Sequence, residues 1–322
     1  MTSPLVSVLV TAYNAEPWIA DTLASVRAQS YANLELVVVD DGSTDRTLEI
    51  ASSFEHPRCT VIAQENQGAC AARNRALSEA SGDFIQYLDA DDLLAPEKIE
   101  IQVQRLLQEP NGTVASGPWV RFYDASPPPD RPAPNRDWHD YTPASDWLLD
   151  SWAQNGMFAS FAWLTPRSVI EAAGPWNERI KRNQDGEFFA RVLLNAHSIA
   201  FCGGAWGFYR SGIAGSVSAR RGASLATSLF DTTELCVQHL GALGDTPDVR
   251  AAQAACWEQF MFEAYPLSRS LAREAEARAN ALGGGGRQPD GGRLFRLLRD
   301  TIGWKAAVRF QSVWYRVRYN QG

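Results

Sequence analysis

Short apolar runs alternate with segments of helical spacing through the N-terminal part of this 322-residue chain. The runs are β-branched or aromatic and are bounded by turn residues, which is typical of buried strands. Because strands that alternate with helices form parallel sheets covered by helices, the pattern predicts an α/β fold. The predicted strands are Leu5–Val10, Leu34–Val39 and Phe84–Leu88, and the predicted helices are 17–30, 45–54 and 68–80.

Acidic clusters directly follow two of the predicted strands, at Asp40–Asp45 and at Asp89–Asp92. In open α/β sheets, ligands bind in the crevice beyond the carboxyl ends of the strands. Three strand ends should therefore meet at one site. The residues expected to emerge there are Thr11, Tyr13, Asp41, Asp89 and Asp91.

Carboxylates at strand ends predict a phosphate ester that is bound through a divalent ion. They repel a diphosphate unless a cation lies between them, and Mg²⁺ or Mn²⁺ prefers oxygen ligands from protein, phosphate and water. The chain has no P-loop motif and no Gly-x-Gly-x-x-Gly after its first strand. The residues therefore favour metal-assisted transfer from a nucleotide-activated donor.

Four motifs, in this order, resemble those of the family 2 glycosyltransferases with the GT-A fold. They are Thr11–Asn14, Val38–Asp45, Asn66–Asn74 and Tyr87–Asp92. The resemblance is strong to about residue 125 and traceable to about residue 218. It implies an α/β GT-A fold: a mostly parallel central sheet flanked by helices, with a Rossmann-like nucleotide-binding half and a helical C-terminal appendage.

The resemblance also implies which residues bind the donor. Tyr13 would offer a ring face to a uracil base, and Asp41 would accept a hydrogen bond from the imide N–H. Arg73 would reach the base or the diphosphate, and Asp89 would lie near the ribose. Asp91 would hold the Mn²⁺ or Mg²⁺ that bridges the phosphates. The nucleotide-binding residues implied are Thr11, Ala12, Tyr13, Asp41, Arg73, Asp89 and Ala90.

The catalytic base is predicted at Asp185. Residues 184–191 are similar to the acidic stretch that begins a helix in the family, with Gln184 replacing the first acid. An Asp of ordinary pKa, about 3.9, is ionised at neutral pH and can take the proton of an acceptor hydroxyl. One departure lies at Gly212, where many relatives carry a His that can join the metal. Water or Ser216 would have to replace it.

Each motif also has a purely structural interpretation. Asp41-Gly42 is a turn dipeptide, and Ser43 or Thr44 could cap the helix that follows. The acids at 91, 92 and 185 could likewise cap helices. Capping does not explain why several motifs end on strands of one sheet, so the joint pattern favours a nucleotide site.

Composition narrows the class of protein. A formal net charge of −7 argues against nucleic acid as the main partner. The five cysteines lack Cys-x-x-Cys spacing, which argues against a disulfide framework or a zinc site. Neither a signal peptide nor a membrane-spanning run is expected. We expect a cytoplasmic enzyme, located at the inner face of the cytoplasmic membrane if its tail binds lipid.

The chain is expected to divide into four parts. The basic residues of the last part alternate with Leu, Trp and Phe, which is typical of a helix on anionic lipid and equally of a helix that packs on protein. The parts are a catalytic domain 1–222 (donor half 1–125, acceptor half 126–222), a helical extension 223–281, a Gly-rich linker 282–292 and a basic amphipathic helix 293–322.

Tryptophans are dense in the acceptor half. Most are expected in the core, because Trp is an ordinary large core residue. Trp176 is the one expected to contact an acceptor sugar, since it closely precedes the presumed base.

The predicted function is that of an inverting, metal-dependent glycosyltransferase. It would move a sugar from a nucleotide-diphosphate donor, uridine-linked by preference, to a hydroxyl of a saccharide or lipid-linked saccharide. By resemblance, the setting is bacterial cell-surface polysaccharide assembly. The alternatives are a catalytically silent sugar-nucleotide-binding homologue, acting as scaffold or regulator, and a nucleotidyltransferase.

Overall fold

The structure is a computed structural model, and it describes residues 3–123, 127, 131–154, 156, 158–213 and 223–319. Its strands are β1 (Val6–Ala12), β2 (Leu34–Asp40), β3 (Cys59–Ala63), β4 (Phe84–Asp89), β5 (Leu93–Leu94), β6 (Val114–Ser116), β7 (Trp119–Phe122), β8 (Thr165–Pro166), β9 (Ile199–Phe201) and β10 (Gly207–Arg210). Its helices are α1 (Ile19–Arg27), α2 (Thr47–Ser52), α3 (Ala69–Glu79), α4 (Lys98–Leu106), α5 (Ser145–Trp152), α6 (Arg167–Ala173), α7 (Gln184–Asn195), α8 (Ala223–Gly241), α9 (Pro247–Ala264), α10 (Arg269–Ala281), α11 (Arg293–Ile302) and α12 (Trp304–Tyr319).

The central sheet has the strand order β3-β2-β1-β4-β8. The first four strands are parallel, and β8 is antiparallel to β4. Helices connect the parallel strands, as the alternation of apolar runs and helical spacing predicts. The predicted fold, a mostly parallel sheet flanked by helices, is confirmed. The edge strand β3 was not predicted, because it is short, its residues are half-buried or exposed, and Thr60 interrupts its apolar residues.

The register of the sheet brings the acidic motifs to one edge. Thr11 on β1 is paired with Asp89 on β4, and Ala12 is paired with Asp40 on β2. The apolar residues of β1 and β2 are buried, which fixes this register because a slip of one residue would turn buried side chains to the other face.

A second, smaller sheet has the strand order β5-β10-β7. Strand β10 is antiparallel to β5, with Phe208 opposite Leu93, and parallel to β7. This pairing places the end of β10 beside the turn that follows β4. Strands β6 and β9 form a third, two-stranded parallel sheet.

A buried polar network joins α4 to the central sheet. The Nζ of Lys98 donates to Oε1 of Gln86 at 2.7 Å and to Oε1 of Gln102 at 2.6 Å. All three side chains are fully buried, and the amide nitrogens of both glutamines donate to backbone carbonyls. Burial lowers the pKa of Lys98 to about 7, since desolvation disfavours the charged ammonium.

The chain forms two compact units, one of residues 1–148 and 157–216 and one of residues 149–156 and 217–322. Each described sheet lies in the first unit, and α8 to α12 lie in the second. The second unit has its own core around Trp257, Phe260 and Ala275. The four-part division expected from the sequence stays a prediction.

The C-terminal segment corrects one expectation. A single helix was predicted over 293–322, but the structure has two, α11 and α12, separated at Gly303. Gly303 has φ of +84°, a conformation that glycine adopts without strain and that ends a right-handed helix. Within the described ranges, none of the helices is long and apolar enough to span a membrane.

Candidate active site

The carboxyl ends of β1 and β4 lie side by side, with Thr11 opposite Asp89. Ala12 and Ala90 are buried, and Thr11 and Asp89 are half-buried. Tyr13 is 47% exposed at the end of β1. Its uncovered ring is therefore accessible to a flat ligand group.

Asp41 organises the loop that leads into α3. Its side chain is buried, and its carboxylate accepts hydrogen bonds from Nε2 of Gln64 at 2.7 Å, from the N–H of Gln67 at 2.9 Å and from the N–H of Gly68 at 2.8 Å. A carboxylate has about four acceptor positions, so one remains for a further donor. The sequence did not reveal this structural role, and the role of binding a uracil imide stays a prediction.

Gly42 is required by the same loop. Its φ is +75°, and a Cβ at this position would lie 2.8 Å from the backbone nitrogen of Asn66. Any side chain would therefore force the two loops apart.

Arg73 links two of the predicted acids. Its Nη2 donates to Oδ1 of Asp89 at 2.8 Å, and its Nη1 lies 3.4 Å from Oδ1 of Asp185. Nη1 also donates to Oε1 of Gln184 at 3.3 Å. Arg73 itself is buried, whereas the side chain of Asp185 is 36% exposed, although its Oδ1 is buried. The structure thus joins three residues that are far apart in sequence.

The environment of Asp185 makes it more basic than a free Asp. Burial raises its pKa, Arg73 lowers it, and the charge of Asp89 raises it again. A base gains strength as its pKa rises towards the working pH. The ion pair with Arg73 keeps the ionised form present.

Three acids crowd the turn after β4. Burial raises the pKa of Asp91 to about 7, and the neighbouring charge of Asp89 adds to this. Burial also raises the pKa of Asp92, with further contributions from Asp91 and Asp89. A bound cation would reduce the repulsion between these negative charges.

Arg210 holds this turn in place and was not predicted as a site residue. Its N–H donates to Oδ1 of Asp92 at 2.8 Å, and its Nε donates to the carbonyl of Asp91 at 2.9 Å. Its guanidinium lies over the ring of Phe122, 4.6 Å from the centroid. The signal in the sequence was an Arg at the end of a strand, which by itself does not identify a partner.

The donor set fits a Mg²⁺ or Mn²⁺ ion. Asp91 supplies hard carboxylate oxygens, and these ions take their remaining ligands from phosphate and water. The part of the chain that the structure describes holds no group of three or more His, Cys, Asp or Glu arranged for a metal. An ion at Asp91 would therefore depend on the phosphates of the donor for its other ligands. Gly212 follows β10 and offers no side-chain ligand, and Ser216 lies outside the described residues.

Trp176 is buried and so has no exposed ring face for an acceptor sugar, which corrects the expectation for this residue. It is 1% exposed and lies in an aromatic cluster. Its ring stacks on Phe188 with centroids 3.9 Å apart and meets Tyr87 edge-on at 5.2 Å. The guanidinium of Arg73 lies over the same indole at 4.4 Å. Trp176 is a core residue that supports the arginine of the site.

Helix capping accounts for one acid of the motifs, Asp45, which accepts a hydrogen bond at 3.0 Å from the N–H of Thr47, the first residue of α2. Helix α2 has Arg46 at its N-cap, α4 has Glu97 and α7 has Asn183, and none of these caps makes a side-chain hydrogen bond to its helix. Asp185 lies within the first turn of α7 rather than at its cap. Capping therefore does not explain the position of Asp185.

Known proteins resemble this chain in sequence. The sequence model of glycosyl transferase family 2 matches residues 7–213. A putative glycosyltransferase of Bacillus subtilis, EpsH, is 31% identical over 62% of this chain and 59% of its own length. WfgD of Escherichia coli is 43% identical over 32% of this chain and 42% of its own length. The chain spans about half the length of the curated relatives it matches.

Solved structures share the fold. Residues 1–349 of S. aureus TarS in complex with UDP-GlcNAc have a TM-score of 0.59 at 18% identity, covering 88% of this chain and 94% of that one. The mannosyltransferase PcManGT from Pyrobaculum calidifontis, in complex with GDP-Man and Mn²⁺, has a TM-score of 0.52 at 18% identity, covering 98% and 88%.

Proposed function

The chain belongs to glycosyl transferase family 2, and we propose that it transfers a sugar from a nucleotide-diphosphate donor to a hydroxyl of a saccharide or lipid-linked saccharide. The observation that carries the proposal is the pairing of Arg73 with both Asp89 and Asp185 at the end of β4. The guanidinium of Arg73 thus pairs with Asp89, a proposed nucleotide-binding residue, and with Asp185, the proposed base.

A uridine-linked donor is the proposed substrate. WfgD is named for UDP-Glc as donor and for a diphosphoundecaprenol-linked acceptor, and a TarS structure contains UDP-GlcNAc. In this chain, Tyr13 would stack on the base, beside Thr11 and Ala12. Asp41 would use its remaining acceptor position for the imide N–H.

The other half of the donor would lie towards β4. Arg73 would reach the diphosphate, Asp89 and Ala90 would lie at the ribose, and Asp91 would hold a divalent ion. A bound Mn²⁺ or Mg²⁺ would neutralise charge on the diphosphate. The raised pKa of Asp91 supports this role, because a cation favours the ionised form of the crowded acid.

Asp185 is the proposed catalytic base of an inverting transfer. The acceptor oxygen attacks the anomeric carbon and gives its proton to the carboxylate of Asp185. The bond from the anomeric carbon to the diphosphate oxygen breaks, and the nucleoside diphosphate leaves. Arg73 orients Asp185 and keeps it ionised until the acceptor arrives.

We propose cell-envelope polysaccharide assembly as the setting, with the enzyme at the inner face of the cytoplasmic membrane. The α11 helix would make the contact. Leu294 and Leu297 are 59% and 60% exposed and lie beside the exposed Arg293 and Arg296. Apolar and basic side chains on one exposed face suit an anionic lipid surface.

Donor turnover tests the proposed function. The purified chain is incubated with UDP-sugars, Mn²⁺ and candidate acceptors, and the products are analysed by mass spectrometry. Release of UDP with a glycosylated acceptor supports the transferase. Release of pyrophosphate would indicate a nucleotidyltransferase, and nucleotide binding without turnover with any donor and acceptor would indicate a silent homologue.

A further inference from the structure

Asn74 forms hydrogen bonds to the backbone of Trp176 through both polar atoms of its side-chain amide. The N–H of Trp176 donates to Oδ1 of Asn74 at 2.8 Å, and Nδ2 of Asn74 donates to the carbonyl of Trp176 at 3.0 Å. Nδ2 also donates to Oε1 of Glu178 at 2.8 Å. One side chain on α3 thereby fixes a loop residue 102 positions further along the chain.

The indole of Trp176 packs against the guanidinium of Arg73. Trp176 lies 4.4 Å from the guanidinium of Arg73 and stacks almost parallel on Phe188, with an interplanar angle of 9°. Phe188 is on α7, the helix that carries Asp185. The stack therefore connects the arginine to the helix of the presumed base.

The stack matters because Arg73 has two acidic partners on different elements. Asp89 ends β4, and Asp185 lies on α7. A guanidinium is planar, and its fork reaches two carboxylates only at a defined angle. The indole face lies 4.4 Å from the guanidinium, and Asn74 bonds to the backbone of the residue that carries the indole.

We propose that Asn74 is a positioning residue that holds Trp176 against Arg73 and so fixes the guanidinium between Asp89 and Asp185. That this position of Arg73 also affects binding of the donor diphosphate rests on the proposed function. Asn74 itself touches neither acid and acts through the loop. Its neighbour in sequence, Arg73, is the group that meets the donor.

The first test needs no nucleotide. Arg73 is 5% exposed, so phenylglyoxal should modify it slowly, as measured on its peptide by mass spectrometry. In Asn74→Ala, the modification rate of Arg73 and the hydrogen exchange of residues 175–181 should both rise several-fold. Ser78→Ala is the matched control, since Ser78 lies on the same helix and its hydroxyl donates to the carbonyl of Arg75 one turn before. Equal rates in Asn74→Ala and the control would overturn the inference.

A pair of substitutions at Asn74 and Glu178 separates the loss of the hydrogen bonds of Asn74 from a general loss of stability. This pair also tests the proposal if Asn74→Ala does not fold. Asn74→Asp places a carboxylate against Oε1 of Glu178 and should also expose Arg73. Adding Glu178→Gln supplies a donor to the new Asp and should restore part of the protection. No recovery in the double variant would contradict the geometry described.

The second test measures the affinity for UDP with Mn²⁺ by calorimetry. Affinity should fall about tenfold or more in Asn74→Ala, which corresponds to roughly 1.4 kcal/mol. In an Arg73→Ala background, Asn74→Ala should have little further effect, because the two act through the same group. Absence of nucleotide binding by the unaltered chain would count against the proposed function. The rate at which phenylglyoxal modifies Arg73 would still test the positioning role of Asn74. Full binding by Asn74→Ala with Arg73 still protected would refute the inference alone.

Discussion

The backbone N–H of Arg210 donates to the carboxylate of Asp92 across 2.8 Å, although the two residues are 118 positions apart. The side chain of Arg210 also binds the carbonyl of Asp91, so one residue fixes the acidic turn from two directions. The position of Asp91 at the proposed metal site therefore depends on the end of β10.

Replacement of Arg210 by Met should weaken metal-dependent nucleotide binding. The variant leaves the carbonyl of Asp91 without the Nε donor of Arg210, so the turn that carries Asp91 loses a contact that holds it in place. We expect a loss of about 1–3 kcal/mol in the free energy of unfolding and a fall of about tenfold or more in affinity for UDP with Mn²⁺. Calorimetry and thermal unfolding measure the two effects. Arg121→Met, which alters an exposed arginine on the neighbouring β7, is the control, and equal affinity in both variants would contradict the role of Arg210.

Asp185→Asn should remove most of the transfer while leaving donor binding nearly intact. The amide keeps the shape of the side chain but cannot take the acceptor proton, a loss typically worth about 10²–10⁴ in rate. Initial rates and UDP affinity are compared with those of Glu171→Gln, an exposed acid on α6. A variant that loses UDP binding and transfer together would show that Asp185 is not the base.

Stability should depend on pH through Lys98. Its folded pKa, about 7, lies below the usual value for Lys, so between these values the unfolded chain binds one proton more than the folded chain. Stability then rises with pH, by up to about 1.4 kcal/mol per pH unit. The difference in unfolding free energy between the unaltered chain and Lys98→Met should increase between about pH 7 and pH 10. A difference that is constant over this range would mean that Lys98 titrates normally.

The α11 face should bind anionic vesicles. Leu294→Ser combined with Leu297→Ser should reduce co-sedimentation with vesicles that contain phosphatidylglycerol, with little effect on unfolding, since both side chains are exposed. Leu107→Ser is the control, because Leu107 is 64% exposed in the other unit. If the double variant sediments as the unaltered chain does, the proposed membrane contact through this face is wrong.

The sheet could be predicted because its strands carry their own signal. β1, β2 and β4 are rich in apolar residues, and β2 and β4 end in Asp, so the local pattern alone identifies them. The edge strand β3 has half-buried residues and lacks that signal. The break at Gly303 was visible as a glycine inside a helical pattern, but the tail was interpreted as one helix.

Partners across long loops could not be predicted. Gln64, Gln67 and Arg210 acquire their roles only when the fold brings them to Asp41 and to the turn after β4. Trp176 was misjudged for a related reason. Its distance in sequence from the base suggested an exposed ring, whereas the phenylalanines of α7 cover it.

The most direct test of the account is calorimetric binding of UDP, with and without Mn²⁺, to the unaltered chain and to Asp91→Asn. GDP, CDP and dTDP are measured in parallel. The account predicts that UDP binds in preference to the others, that binding requires Mn²⁺, and that Asp91→Asn abolishes it. Failure of every nucleotide to bind, or UDP binding that is indifferent to Mn²⁺ and to Asp91, would contradict a metal-bridged donor site.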